Sequence, residues 1–142
     1  MLTTDNLLYL TQMIPNFCGV YSFNCLPKLQ DLNCNANLQK QLHNQQKYKT
    51  LIVNLDTDNL PGSHWVALAK CENGLVEIFD SFGTPPPSLL QAWAQNWTYK
   101  PSIMIQHPDA VTCGYYAFIF CVARPHCDTL LDTLKYISTL NI

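Results

Sequence analysis

The pattern of hydrophobic and polar positions predicts a helix, then an extended segment, at the start of the chain. Residues 3–13 carry apolar side chains at helical spacing behind Thr3 or Thr4, either of which suits an N-cap. Residues 17–23 are mostly apolar and predicted to be extended. Residues 28–47 are polar with sparse leucines, and their pattern indicates no definite element.

Three short apolar runs follow and predict the centre of a sheet. They cover residues 50–55, 64–69 and 75–79, and clusters of turn-forming residues separate them. We expect adjacent strands, with the last two runs forming a hairpin. Residues 102–106 predict a fourth short strand.

The second half of the chain predicts three more helices. The first begins after Pro85-Pro86-Pro87, and we assign one core-packing face of it to Leu89, Trp93 and Trp97. The other two cover residues 113–124 and 127–139 and are separated by Pro125. The pattern indicates the α+β class, a small mixed or antiparallel sheet flanked by helices.

Length and composition favour one globular domain spanning residues 1–142. Hydrophobic residues make up 48% of the chain, which is enough for a core, and charged residues only 13%. The net charge of −2 argues against a general attraction to nucleic acid. The lysines at 40, 47 and 49 form a local exception, which we interpret as a solvated polar face.

Seven cysteines are an odd number, and no charged-then-apolar signal segment or membrane-spanning run accompanies them. We therefore expect a reducing compartment, mostly free thiols, no secretion and no membrane association.

Cys113 is the strongest candidate nucleophile. With Thr112 as N-cap it begins an apolar helix, where the helix dipole favours a thiolate. A cap position predicts surface exposure, and Gly114 would let a substrate backbone come close. The ordinary alternative, a buried structural cysteine, fits Cys121 better.

His64 begins a predicted strand, and Asp80 ends the next one, about one hairpin away. The Asp80 carboxylate could accept the imidazole Nδ1–H and hold the ring as a base, although Asp80 alone could be a simple turn residue. Gln106, seven residues before Cys113, could donate to an oxyanion together with the Cys113 backbone N–H. The remaining histidines, at 43, 107 and 126, have no such context.

These islands, in their order, resemble the adenovirus-type (adenain-like) cysteine proteases and, more distantly, the Ulp/SENP proteases of the same clan. The match covers roughly residues 5–124 and rests on Gly62-Ser63-His64-Trp65, on Phe79-Asp80-Ser81-Phe82-Gly83, and on Gln106 with Cys113-Gly114-Tyr115-Tyr116. The resemblance implies the adenain/Ulp-like fold with the nucleophile at a helix N-terminus. It further implies His64 as base, Asp80 as orienting acid, Cys113 as nucleophile and Gln106 as oxyanion donor, with Trp65 and Gly114 shaping the cleft.

The resemblance also implies a viral endopeptidase that trims capsid or core precursor proteins near small residues during virion maturation. It would act in the virion and the infected cell, with the nucleus as one compartment, and would need no metal or cofactor for its chemistry. Adenovirus members are stimulated by a viral peptide and by DNA. This chain is shorter and lacks their extended basic surface, so DNA stimulation is in doubt and nothing in the sequence supports an activating peptide. The length suits a small DNA virus or a Polinton-like element.

Three alternatives stay open at this point. A Ulp/SENP-like isopeptidase acting on a ubiquitin-like modifier would use the same residues. A zinc-stabilised binding module would have enough cysteines and histidines, but no C-x-x-C pair is present. A dead protease fold retained for binding is disfavoured because all four chemical positions hold competent residues.

Overall fold

The computed structural model describes residues 2–32, 48–56, 64–100 and 113–140, and these confirm the α+β class. Within them, one sheet contains five strands: β1 (Phe17–Ser22), β2 (Tyr48–Asn54), β3 (Trp65–Cys71), β4 (Val76–Phe79) and β5 (Trp97–Tyr99). The α-helices in the same ranges are α1 (Thr4–Thr11), α2 (Ser88–Ala94), α3 (Cys113–Ala123) and α4 (Leu130–Ser138).

The sheet is mixed and its strands lie in chain order. The central strands β2, β3 and β4 are antiparallel, whereas β1 joins β2 and β5 joins β4 in parallel. The three central strands and their hairpin confirm the prediction. The short strand β5 was not predicted, and the predicted strand at 102–106 lies outside the described residues.

Helix α1 begins as its sequence predicts. The Thr3 hydroxyl accepts from the backbone N–H of Asn6 at 3.2 Å, and the Asn6 side chain accepts from the Thr3 N–H at 3.0 Å. This reciprocal pair is a capping box, which satisfies two backbone donors that a helix start leaves open. The capping box therefore fixes the backbone at the start of α1, directly after Leu2.

Two apolar layers cover the two faces of the sheet, because successive strand residues point to opposite sides. Trp65, Ala67 and Ala69 belong to a core cluster shared with α1, α3 and α4. Val66 and Leu68 belong to a second cluster, shared with α2. None of the helices among the described residues is long and apolar enough to cross a membrane.

The predicted core face of α2 is wrong. Leu90 and Ala94 are the buried residues of this helix, whereas Leu89 is 68% exposed. The helix stops before Trp97, which lies in β5. The partly buried Trp93 donates its indole N–H to the carbonyl of Pro27 at 2.7 Å, so this side chain ties α2 to the segment after β1.

A buried ion pair joins the end of α3 to the sheet. Arg124 donates from Nε to Oε1 of Glu77 at 2.5 Å and from Nη2 to Oε2 at 3.1 Å. Its guanidinium also donates to the Tyr48 hydroxyl at 3.1 Å and to the Cys127 carbonyl at 2.8 Å. The bidentate geometry and the additional acceptors are what a buried arginine requires.

Candidate active site

The sheet topology brings the three main candidate residues to one end of the sheet. His64 directly precedes β3, Asp80 directly follows β4, and Cys113 is the first residue of α3. Because β3 and β4 are antiparallel, with Ala67 paired to Phe79, the start of one strand lies beside the end of the other. The backbone of His64 is held there because its carbonyl accepts from the N–H of Leu55 at 2.9 Å.

His64 and Asp80 form a direct contact, with Nε2 of the ring 2.9 Å from Oδ2 of the carboxylate. The Asp80 side chain is only 2% exposed, and the His64 side chain is 20% exposed. The sequence-based expectation that Nδ1 binds Asp80 is wrong, because the ring presents Nε2 to the end of β4. Asp80 is itself held by its Oδ1 atom, which accepts from the backbone N–H of Phe82 at 2.8 Å.

The Cys113 thiol also hydrogen bonds to the His64 side chain. Since Nε2 is engaged with Asp80, Nδ1 is the ring nitrogen left for the thiol. The sulfur also takes backbone hydrogen bonds from Trp65 and Gly114. Two backbone N–H groups therefore converge with an imidazole on one sulfur atom, at the positive end of a helix.

These contacts shift both ionisation equilibria in the direction of an ion pair. Burial raises the pKa of the Cys113 thiol, but the His64 hydrogen bond and charge, with the backbone donors, outweigh it and lower that pKa overall. Burial lowers the pKa of His64, but hydrogen bonds and charges of Asp80 and Cys113 raise it to about 9. The raised pKa of His64 keeps its imidazole protonated at neutral pH, and the lowered pKa of Cys113 favours a thiolate beside it.

The expected surface exposure of Cys113 is wrong, since this residue is 2% exposed. The reason lies in the next residue of the helix. A methyl group at position 114 would lie 3.1 Å from Cβ of Leu2 and 3.2 Å from Cδ1 of Trp65. Because residue 114 is glycine, the first turn of α3 packs tightly against Leu2 and Trp65. We expected Gly114 to make room for a substrate backbone, whereas the close contact in the structure is with the protein's own core.

Trp65, predicted to shape a cleft, is 2% exposed and has its side chain in the core cluster. Its indole N–H donates to the carbonyl of Leu2 at 3.1 Å. The backbone N–H of Trp65 donates to the Cys113 sulfur, so Trp65 contributes to the candidate site through its main chain.

Phe82 is a site residue that sequence reasoning missed. Its ring lies against the His64 imidazole, with centroids 4.9 Å apart and planes tilted by 36°. The hairpin register could have revealed it, because continuing the pairing of Ala67 with Phe79 outwards places Phe82 opposite His64. The Phe82 ring therefore packs against the imidazole that contacts Asp80.

The remaining candidates do not join this group among the described residues. Gln106 and Thr112 lie outside the described ranges, as do His43 and His107. His126 is exposed and lies three residues beyond Ala123, the far end of α3, which is itself about 15 Å along the helix from Cys113. In the part of the chain that the structure describes, no three His, Cys, Asp or Glu side chains cluster as metal ligands would.

The other cysteines provide a contrast in reactivity. Burial raises the pKa of Cys121 to about 12 and that of the half-buried Cys71 to about 11, so both are thiols at neutral pH. Cys25 is exposed. Cys113 is buried like Cys121, but its pKa is lowered instead of raised, and a lowered pKa is typical of a nucleophile rather than of a structural cysteine.

No protein-family model matches the chain, and no curated protein matches it either.

Proposed function

We propose that this protein is a cysteine endopeptidase of the adenovirus type. The observation that carries the proposal is the contact series from Asp80 through His64 to Cys113, with the pKa of His64 raised and that of Cys113 lowered. A base, an orienting acid and an activated thiolate are the groups that thiol acyl transfer requires.

In the proposed cycle the Cys113 thiolate attacks the carbonyl carbon of the scissile peptide. The tetrahedral oxyanion accepts hydrogen bonds from the Cys113 backbone N–H and the Gln106 side chain, each worth about 3 kcal/mol where well placed. The His64 imidazolium gives its proton to the leaving amine as the carbon–nitrogen bond breaks. A water then loses a proton to His64 and attacks the thioester, which releases the acid and regenerates the thiolate.

The proposed substrates follow from the resemblance. They are viral capsid or core precursor proteins, cleaved near small residues such as Gly during maturation in the virion and infected cell. No resident cofactor enters the proposed chemistry.

A peptide probe with Gly at its C-terminal end, linked to a vinyl electrophile, tests the chemistry. We expect one covalent adduct per chain, located at Cys113 by peptide mapping. The adduct should disappear in Cys113→Ser and in His64→Ala, but persist in Cys25→Ser, which removes an exposed thiol outside the site. Labelling that follows Cys25 and spares Cys113 would contradict the proposal.

A second assay separates the endopeptidase from an isopeptidase. A linear peptide library and ubiquitin-like modifiers joined to lysine through isopeptide bonds are each incubated with the protein and with Cys113→Ser. Cleavage of the linear peptides at small residues supports the endopeptidase. Cleavage confined to the conjugates would assign the same site to deconjugation instead.

A further inference from the structure

Leu2 contacts both residues whose backbone N–H groups bind the Cys113 sulfur. Its carbonyl accepts the indole N–H of Trp65 at 3.1 Å. Its side chain lies against Gly114, since a methyl group there would come within 3.1 Å of Cβ and 3.2 Å of Cδ1 of Leu2. Leu2 is itself 9% exposed and belongs to the same core cluster as Cys113.

The two donors belong to different elements. Trp65 begins β3 and Gly114 is the second residue of α3, so their N–H groups meet at one sulfur only while the strand and helix keep their spacing. Hydrogen bonds weaken steeply as distance and angle leave their optimum. Leu2 meets both elements at this point: its backbone carbonyl binds the Trp65 indole of the strand, and its side chain lies beside Gly114 of the helix, so Leu2 links their positions.

We propose that Leu2 is a positioning residue for the nucleophile: it holds Trp65 and Gly114 so that both backbone N–H groups point at the Cys113 sulfur. This role of Leu2 in catalysis rests on the proposed function, in which the Cys113 thiolate is the nucleophile. Leu2 touches no reacting atom in this account and acts through its two neighbours.

The test is the rate of Cys113 alkylation by iodoacetamide, followed by peptide mapping from about pH 4 to about pH 9. In Leu2→Ala we expect the acid limb of this profile to move up by about one pH unit, making alkylation roughly tenfold slower on that limb. Leu2→Met fills a similar volume and should restore most of the rate. Leu2→Val removes one methylene group and serves as a milder variant if Leu2→Ala does not fold.

A matched control separates positioning from simple core stability. Leu134 is 4% exposed and lies in the same core cluster, but on α4. Leu134→Ala should lower the melting temperature while leaving the alkylation profile unchanged. An unchanged profile in folded Leu2 variants, or an equal shift in Leu134→Ala, would overturn the proposal.

The proposed function fails in a different way. If the alkylation rate of wild-type Cys113 has the pH profile of an ordinary thiol, both the proposed function and the positioning role of Leu2 are wrong. If Leu2→Ala shifts the profile but no peptide or probe reacts with wild-type protein, Leu2 positions a thiolate that does not serve as a peptidase nucleophile.

Discussion

His64 and Asp80 meet through Nε2 of the ring and Oδ2 of the carboxylate, 2.9 Å apart. The other carboxylate oxygen is also engaged, because Oδ1 accepts from the N–H of Phe82 at 2.8 Å. A carboxylate with a separate donor on each oxygen has a fixed orientation. It therefore directs the opposite ring nitrogen, Nδ1, towards Cys113.

Asp80→Asn should disturb the site more than its similar shape suggests. An amide has only one carbonyl oxygen, so the bond to His64 or the bond to Phe82 loses its acceptor. Losing the negative charge also removes part of what raises the pKa of His64, so that pKa should fall below about 9. We expect kcat/KM to fall on the order of 100-fold or more, and the alkaline limb of the activity profile to move to lower pH.

Asp80→Ala serves as the comparison, because it removes both oxygens and should be at least as damaging as Asp80→Asn. Full activity in Asp80→Asn, with its alkaline limb unmoved, would show that the carboxylate neither orients nor charges the ring.

The titration of His64 should depend on Cys113. The thiolate is one of the two partners that raise the pKa of His64 to about 9, while burial opposes them. In Cys113→Ala one raising partner is gone, so the imidazolium should lose its proton at a lower pH than in the wild-type protein. NMR titration of ring-labelled histidine measures this shift, and an identical His64 curve in both proteins would contradict the ion pair.

Phe82→Ala tests the ring that lies 4.9 Å from the His64 imidazole. The backbone bond from residue 82 to Asp80 survives this change, so the variant isolates the side chain. A ring pair of this kind is worth about 0.5–1.5 kcal/mol, which corresponds to a decrease in kcat/KM of about 2- to 10-fold. Phe82→Tyr keeps the ring and should retain most of the activity. Equal activity of the Ala and Tyr variants would remove this role from the ring.

The Arg124–Glu77 pair should be important for stability. Both side chains are buried, and removing one partner leaves an uncompensated charge. Glu77→Ala is expected to cost about 3–5 kcal/mol of unfolding free energy in urea denaturation. Glu77→Met combined with Arg124→Met should be more stable than Glu77→Ala, because no buried charge remains. If the double variant were the less stable one, the pair itself would be a net source of stability.

The sequence predicts the centre of the fold because alternation is strong there. Val66 and Leu68 point to one layer and Ala67 to the other. Asn73-Gly74, between β3 and β4, closes the hairpin. The end of α2 was harder to predict. The apolar spacing continues to Trp97, but Gln95 adopts a positive φ of 62° and breaks the helix, and glutamine gives no signal for that conformation.

In the candidate site too, some features follow from local sequence patterns and others depend on residues far apart in the chain. The hairpin alone brings His64 near Asp80, so their proximity follows from strand order. Which ring nitrogen faces the acid depends on the ring's orientation, which no sequence pattern contains. Cys113 is buried in the same core cluster as Leu2, a residue from near the start of the chain, and no local sequence pattern predicts that packing.

Alkylation of the native protein tests most directly whether Cys113 is an activated thiolate paired with the His64 imidazolium. One equivalent of iodoacetamide is applied across pH, and the labelled cysteines are mapped in the wild-type protein and in His64→Ala. We predict fast labelling of the buried Cys113 ahead of the exposed Cys25, persisting below pH of about 7 and lost in His64→Ala. Labelling that follows exposure, with Cys25 first and Cys113 unaffected by the His64 change, would contradict it.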